Sequence, residues 1–187
     1  MGSSYTSDWL LAVKLDAIFN GTYPIFSNDS KTFPVGSKLN NEKVYKVNGK
    51  SGWTGKQCYI YANAVYFHLT GDFVGNGSRS YKNSKVVIKN KSSASYELFR
   101  NSGVTCGSYL RTTSNSSGSF NGNNGHSLII LSYDQNQITT LEGNANGKGS
   151  IEIITRSWNS FNKKLLTNKN RRICQVVVPK NINYCPF

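Results

Sequence analysis

The sequence predicts an α+β fold in which N-terminal helices pack on a C-terminal antiparallel sheet. Helical patterns come early in the chain, and four strand-like segments follow one another between residues 126 and 178. These segments are short and are separated by turn residues, a spacing that favours antiparallel pairing.

The first predicted helix covers residues 8–19. Ser7 is a suitable N-cap, because its hydroxyl can accept a hydrogen bond from an unpaired amide of the first turn. A loop follows, with one short strand candidate at residues 43–47. We expect residues 1–50 to be a helix and loop extension of the domain that residues 51–187 form.

A second predicted helix covers residues 57–69 and begins directly after a loop at 51–56 that contains two glycines. Cys58 therefore lies in its first turn, near unpaired amide groups and the positive end of the helix dipole. This environment favours the thiolate, which is the nucleophilic form of cysteine. Position alone does not establish catalysis, since most cysteines are buried core residues or disulfide partners.

The later predicted elements are shorter. A helix is predicted at 94–100, and strands are predicted at 85–89, 104–112, 126–133, 137–142, 150–156 and 172–178. A flexible loop rich in Gly, Ser and Asn is predicted at residues 115–124, between the strands at 104–112 and 126–133.

Composition limits the class of protein. At 187 residues, with 37% hydrophobic and 12% aromatic residues, the chain suits one folded domain. The net charge of +13 indicates an anionic partner, such as a wall polymer, or simply a solvated basic surface. Nucleic acid is disfavoured, because no zinc spacing, basic helix or RNA-binding motif is present. No apolar run approaches the roughly 18 residues of a membrane span.

The chain has four cysteines, and none forms a C-x-x-C pair. Structural zinc and thioredoxin-like chemistry are therefore disfavoured. Cys174 and Cys185 flank the C-terminal segment, and we expect them to be either a disulfide or two free thiols. A disulfide would imply an oxidising compartment. Cys106 is expected to be a buried residue.

Only two histidines can serve as a base for Cys58. His68 lies ten residues further along the same helix, about 15 Å away at 1.5 Å of rise per residue, which is too far. His126, at the start of a predicted strand, is therefore the candidate base. The alternative for His126 is a purely structural role.

The hairpin after His126 tests this assignment by strand pairing. A three-residue loop at 134–136 sets Asn144 opposite His126 and places Glu142 on the same face of the sheet. A two-residue loop at 135–136 would place both polar residues on the other face.

Gln57-Cys58 at a helix start, Gly125-His126-Ser127 at a strand start and Glu142-x-Asn144 on the next strand together resemble the CHAP family. These are cysteine, histidine-dependent amidohydrolases and peptidases, papain-like in fold and close to the NlpC-type peptidases. The resemblance covers residues from about 53 to 158. It implies that Cys58 is the nucleophile, His126 the base and Glu142 its orienting group. Asn144 would support His126 or the oxyanion site, and no metal or organic cofactor is required.

The resemblance also implies a function for residues 51–187, which would form a CHAP-like cysteine hydrolase domain. The expected substrate is an amide bond in bacterial peptidoglycan, cut by an amidase or endopeptidase that is secreted or associated with the cell wall and acts as a monomer. Gln57, Trp53 and Tyr59 are candidates for the oxyanion or substrate-binding site. The Pro-Gly-Asp motif common in the family is replaced here by its nearest equivalent, Cys106-Gly107-Ser108-Tyr109.

Three other functions fit the same sequence. The first is a non-catalytic basic module that binds a wall polymer or glycan, with Cys58 as a buried structural residue. The second is a nucleic-acid binder. The third is a thiol acyltransferase of the transglutaminase type, which uses a similar Cys-His arrangement.

Overall fold

A computed structural model describes residues 58–74, 81–114, 125–145, 147 and 149–180. Its elements in chain order are α1 (Cys58–Thr70), β1 (Ser84–Lys91), α2 (Tyr96–Asn101), β2 (Ser108–Thr113), β3 (His126–Tyr133), β4 (Gln137–Gly143), β5 (Ile151–Ser157), α3 (Trp158–Phe161), a π-helix (Asn162–Leu166), a 3₁₀ helix (Thr167–Lys169) and β6 (Arg172–Pro179). The predicted helix at 8–19 and the strand candidate at 43–47 lie outside the described residues.

The six strands form one sheet in the order β1-β6-β2-β3-β4-β5. Every neighbouring pair in this sheet is antiparallel. The chain is therefore a mixed α+β protein built on an antiparallel sheet, as the sequence predicts. The strand order brings β6, which is last in the sequence, between β1 and β2.

Helices cover both faces of the sheet, because the strands alternate apolar side chains between two cores. On β3, Ile129 and Leu131 belong to the core formed with α1, whereas Leu128 and Ile130 belong to the opposite core. The opposite core also contains Phe99 of α2, Phe161 of α3 and the two leucines of the π-helix, Leu165 and Leu166. Helix α2 lies between β1 and β2, where a helix was predicted at 94–100, whereas the helical segment after β5 was not predicted.

Helix α1 packs very closely against β4 at Gly143. A Cβ atom at position 143 would lie 2.6 Å from the Cβ of Tyr61 and 2.8 Å from its Cγ. Tyr61 is fully buried and lies one turn after Cys58. The absence of a side chain at Gly143 therefore sets the distance between the helix that carries Cys58 and the sheet.

The β3–β4 hairpin differs from the predicted one at its loop. The Asp134 amide donates to the Gln137 carbonyl at 2.9 Å, so two residues connect the strands rather than three. The Asp134 carboxylate caps this loop by accepting the Gln137 amide, also at 2.9 Å. A tight two-residue loop is stabilised by this aspartate, which is why the predicted three-residue loop is wrong.

A β-bulge restores the predicted pairing further along the hairpin. Ile130 pairs with Thr140 while Ser132 pairs with Thr139, so β3 contains one extra residue between them. Beyond the bulge, Ile129 lies opposite Leu141, which is the register that the three-residue loop predicted. The face of β4 that carries Glu142 is therefore the face of β3 that carries His126.

The cysteines have different states. Cys58 and Cys174 are free thiols, whereas Cys106 is buried and disulfide-bonded. Of the two alternatives for Cys174, the free thiol is correct. It is held inside strand β6, at the point where that strand bulges against β2. The fourth cysteine, Cys185, lies outside the described residues.

Replacing Phe99 tests the core on the side of the sheet away from α1. Phe99 is fully buried and makes edge-to-face contacts with Tyr133 and Trp158, with ring centroids at 5.7 and 5.2 Å. We expect Phe99→Ala to lower the free energy of unfolding by about 3–5 kcal/mol, measured by urea denaturation. Ile153→Ala is the control, because Ile153 is 41% exposed and its truncation should cost less than about 1 kcal/mol. Equal losses in the two variants would contradict this assignment of the core.

Candidate functional site

The candidate nucleophile is held where α1 and β3 both begin. Cys58 is the first residue of α1 and is 6% exposed. The Ser127 backbone amide donates to the Cys58 Sγ at 3.4 Å, and interaction with the His126 side chain lowers the pKa of the same thiol. The start of the helix and the start of the strand thus meet at the sulfur atom.

Gly125 and Ser127, the residues on either side of His126, each have a structural reason for their identity. A Cβ at Gly125 would lie 2.4 Å from the Thr112 carbonyl oxygen and 2.6 Å from the Arg111 Cζ, so no side chain fits there. The Ser127 hydroxyl accepts hydrogen bonds from the Tyr109 hydroxyl at 2.8 Å and from the Arg111 guanidinium at 3.1 Å. Its backbone amide is thereby held in place for the sulfur of Cys58.

The imidazole of His126 connects the thiol to a buried carboxylate. Its Nε2 lies 2.8 Å from Oε2 of Glu142, which is fully buried. Since Nε2 is occupied by the carboxylate, Nδ1 is the ring nitrogen that remains for Cys58. The three side chains form the chain of thiol, imidazole and carboxylate that nucleophilic catalysis by cysteine requires.

The Glu142 carboxylate is itself held by two further side chains. The Thr140 hydroxyl donates to Oε1 at 2.6 Å, and Arg156 of β5 donates Nη2 to Oε2 at 3.3 Å and Nη1 to Oε1. This is a bidentate guanidinium–carboxylate pair, a geometry that fixes the orientation of both groups. A buried carboxylate without such partners would be protonated or strongly destabilising.

The electrostatics of the site favour a thiolate–imidazolium pair. Burial raises the pKa of Cys58, but the hydrogen bond and charge of His126, the Ser127 amide and the charge of Arg111 outweigh it and lower that pKa overall. Burial lowers the pKa of His126, but its hydrogen bonds to Cys58 and Glu142 and their charges raise it to about 9. Burial opposes ionisation of Glu142, but His126 and Arg156 lower its pKa to about 2.

Of the other predicted site residues, the structure describes Asn144 and Tyr59. Asn144 adopts a left-handed conformation (φ 55°), and its side-chain oxygen accepts the Gly149 amide at 2.8 Å in the turn after β4. Its oxygen is therefore engaged in that turn rather than with His126. Tyr59 is half-buried, with the Arg111 Cζ 6.0 Å from the centre of its ring. Gln57 and Trp53 lie outside the described residues.

Two arginines of the site are not among the predicted residues. Arg111 could be found only by pairing β2 with β3, which sets it opposite Ser127. Arg156 could be found only by knowing that β5 pairs with β4. Alternation within each strand gives the face of a side chain but not the neighbouring strand, so the sequence contains no direct signal for either contact.

Within the described ranges, no group of three or more His, Cys, Asp and Glu side chains is placed to hold a metal ion. None of the helices in the same ranges is long and apolar enough to cross a membrane. The chain matches no protein-family model and none of the curated proteins. The interpretation of the site therefore depends on its own geometry.

Replacing Glu142 with glutamine tests whether the carboxylate sets the ionisation of the dyad. The variant keeps the shape but removes the charge, so we expect the pKa of His126 to fall and that of Cys58 to rise. The rate of Cys58 alkylation, measured against pH, should then require a higher pH than in the wild type. Thr140→Val is the control, because it removes one hydrogen bond to the same carboxylate and leaves its charge. Identical pH profiles for Glu142→Gln and wild type would contradict this role for the carboxylate.

Proposed function

We propose that the chain is a cysteine hydrolase that cleaves amide bonds through an acyl-enzyme intermediate. The observation that supports this most directly is the buried arrangement of Cys58, His126 and Glu142, in which the imidazole is hydrogen-bonded to the carboxylate and lowers the pKa of the adjacent thiol. A structural cysteine needs no base, and a structural histidine needs no ionised carboxylate held by an arginine. The combination is the one that activates a thiol.

In the proposed mechanism the Cys58 thiolate attacks the carbonyl carbon of the amide, and the negative charge moves to the carbonyl oxygen. In this mechanism the backbone N–H of Cys58, in the first turn of the helix, donates to that oxygen. His126 then transfers its proton from Nδ1 to the leaving amine, and the C–N bond breaks. A water molecule, deprotonated by His126, attacks the thioester and releases the acid.

The proposed substrate class and location come from the resemblance to the CHAP family and from two properties of the chain. A net charge of +13 favours approach to an anionic bacterial wall. A disulfide-bonded Cys106 favours an oxidising compartment, as expected for a secreted or wall-associated protein. We therefore propose a papain-like CHAP domain that acts, as a monomer, on peptidoglycan in cell wall degradation.

Iodoacetamide labelling at about pH 6, read by mass spectrometry, tests the activated thiol. We expect Cys58 to be modified rapidly, because its pKa is lowered and its thiolate is populated at that pH. Cys174 is an internal control, since it is a free thiol whose pKa is raised by burial. His126→Ala should slow labelling of Cys58 about tenfold or more. Labelling of Cys58 no faster than that of an ordinary thiol would exclude the catalytic pair.

Digestion of purified peptidoglycan tests the reaction. We expect Cys58→Ala and His126→Ala each to reduce amine release by about a thousandfold or more, whereas Cys174→Ala should retain the wild-type rate. Activity should decline above about pH 9, where His126 loses the proton that the leaving amine needs. Mass spectrometry of the soluble products distinguishes an amidase from an endopeptidase. Wall binding that is unchanged in Cys58→Ala, without any bond cleavage by the wild type, would support a binding module instead.

A further inference from the structure

A positive charge outside the proposed catalytic chain is fixed beside Cys58. The Arg111 guanidinium donates to the Ser127 hydroxyl at 3.1 Å, lies against the backbone of Gly125 and has its Cζ 6.0 Å from the centre of the Tyr59 ring. Arg111 is only 8% exposed. Its charge is therefore held against the first turn of α1, where it acts on Cys58.

A second guanidinium lies at the same end of the sheet. Thr112 of β2 pairs with His126 of β3 on one side and with Ile173 of β6 on the other. Adjacent strands are about 4.8 Å apart, so the backbones of residues 173 and 126 are separated by about 10 Å. Arg171 immediately precedes β6 and lies two residues from Ile173. Its long side chain can reach the region of the thiol from there.

Among the described residues, the charges around Arg171 are unbalanced. It is half-buried, its Nε has no hydrogen-bond partner, and no carboxylate among the residues in the described ranges pairs with it. Burial lowers the pKa of Arg171, the Cys58 thiolate raises it, and the charge of Arg111 lowers it. Two guanidinium groups that act on each other and on one thiolate form a region of positive potential at the nucleophile. An anion bound there would reduce their repulsion.

We propose that Arg171, supported by the charge of Arg111, forms a subsite that binds a substrate carboxylate next to the bond that Cys58 attacks. The proposal rests on the function proposed above and narrows its substrate class. The favoured substrates are peptides with a free carboxylate beside the scissile amide. The guanidinium of Arg171 contacts the carboxylate, and Arg111 is a supporting residue beneath it.

Two alkylating reagents of nearly the same size test this subsite without knowledge of the substrate. Iodoacetate carries a carboxylate and iodoacetamide is neutral, and in both cases the Cys58 thiolate displaces iodide. The ratio of their rate constants at Cys58 therefore reports anion binding, because a change in thiolate reactivity affects both reagents equally. We expect the full chain to give a ratio about fivefold above that of a small thiol, decreasing with added salt.

Three variants distinguish a specific effect of Arg171 on this ratio from an effect of the positive charge of the chain as a whole. Arg171→Met should reduce the ratio about fivefold, and Arg171→Lys should restore most of it. Arg172→Met is the matched control and should leave the ratio unchanged, because the Arg172 side chain bonds Asn90 on β1 instead. Thermal unfolding of each variant checks that the fold is retained.

The outcomes distinguish the subsite from the catalytic pair. A high wild-type ratio that is lost in Arg171→Met and retained in Arg172→Met supports the subsite. Rapid labelling of Cys58 by both reagents with a ratio unaffected by Arg171→Met would overturn the subsite and leave the proposed hydrolase intact. Slow labelling by both reagents would overturn the proposed function, and the subsite with it.

Discussion

The buried carboxylate of Glu142 is the group on which the geometry of the site depends. A charge in the interior is tolerated only when it is paired and hydrogen-bonded, and removal of one partner from such a pair typically costs about 3–5 kcal/mol. Its partners come from three adjacent strands: His126 from β3, Thr140 from β4 and Arg156 from β5. The pairing of β3, β4 and β5 and the ionisation of the site are therefore parts of one constraint, because a shift of any of these strands would leave a buried charge unpaired.

Two glycines complete this constraint by allowing close approach. Gly143 lets Tyr61 of α1 lie directly on β4, and Gly125 lets the Arg111 guanidinium lie against the start of β3. The first contact sets the height of Cys58 above the sheet, and the second supplies the positive charge that helps to ionise it. In a densely packed interior even one added methyl group displaces its neighbours. A side chain at either glycine would therefore displace Tyr61 or Arg111 and alter the surroundings of the Cys58 thiol.

Most of the strands could be predicted from the sequence, and the reason is visible in β3. The observed range His126–Tyr133 coincides with the predicted one, since an apolar run bounded by polar turn residues is a clear signal. Strand β2 begins at Ser108 rather than at residue 104, because Gly107 has a positive φ and Ser108 closes a turn onto Thr105. Such a turn has no periodicity by which to recognise it.

The segment after β5 was not predicted as helical, although it begins with a recognisable cap. Ser157 accepts the Ser160 amide at 3.2 Å, and the helix then changes to π and 3₁₀ geometry within a few residues. The irregular repeat removes the spacing on which sequence interpretation relies. Its apolar residues Phe161, Leu165 and Leu166 are nevertheless fully or nearly fully buried.

The candidate site could be predicted in part for a similar reason. Cys58 and His126 follow from helix position and elimination, which are local. Strand alternation gives the face on which Glu142 lies, and its role as the orienting group follows from the resemblance to the CHAP family. The positions of Arg111 and Arg156 in the site depend on which strands are neighbours in the sheet. Asn144 has a left-handed backbone conformation in the turn after β4, so the alternation of side chains along β4 does not predict where its side chain lies. Contacts decided by topology are not contained in local patterns.

The bulge in β3 has a consequence for how this site can vary among related chains. Because Leu131 is the extra residue between the Ile130 and Ser132 pairs, a chain without it could keep the same two-residue loop and the same contact between histidine and glutamate. The number of residues between His126 and Glu142 is therefore not dictated by the chemistry. A chain with a spacing shorter by one would keep the same strand pairing, and a search pattern that demands a fixed spacing would overlook it.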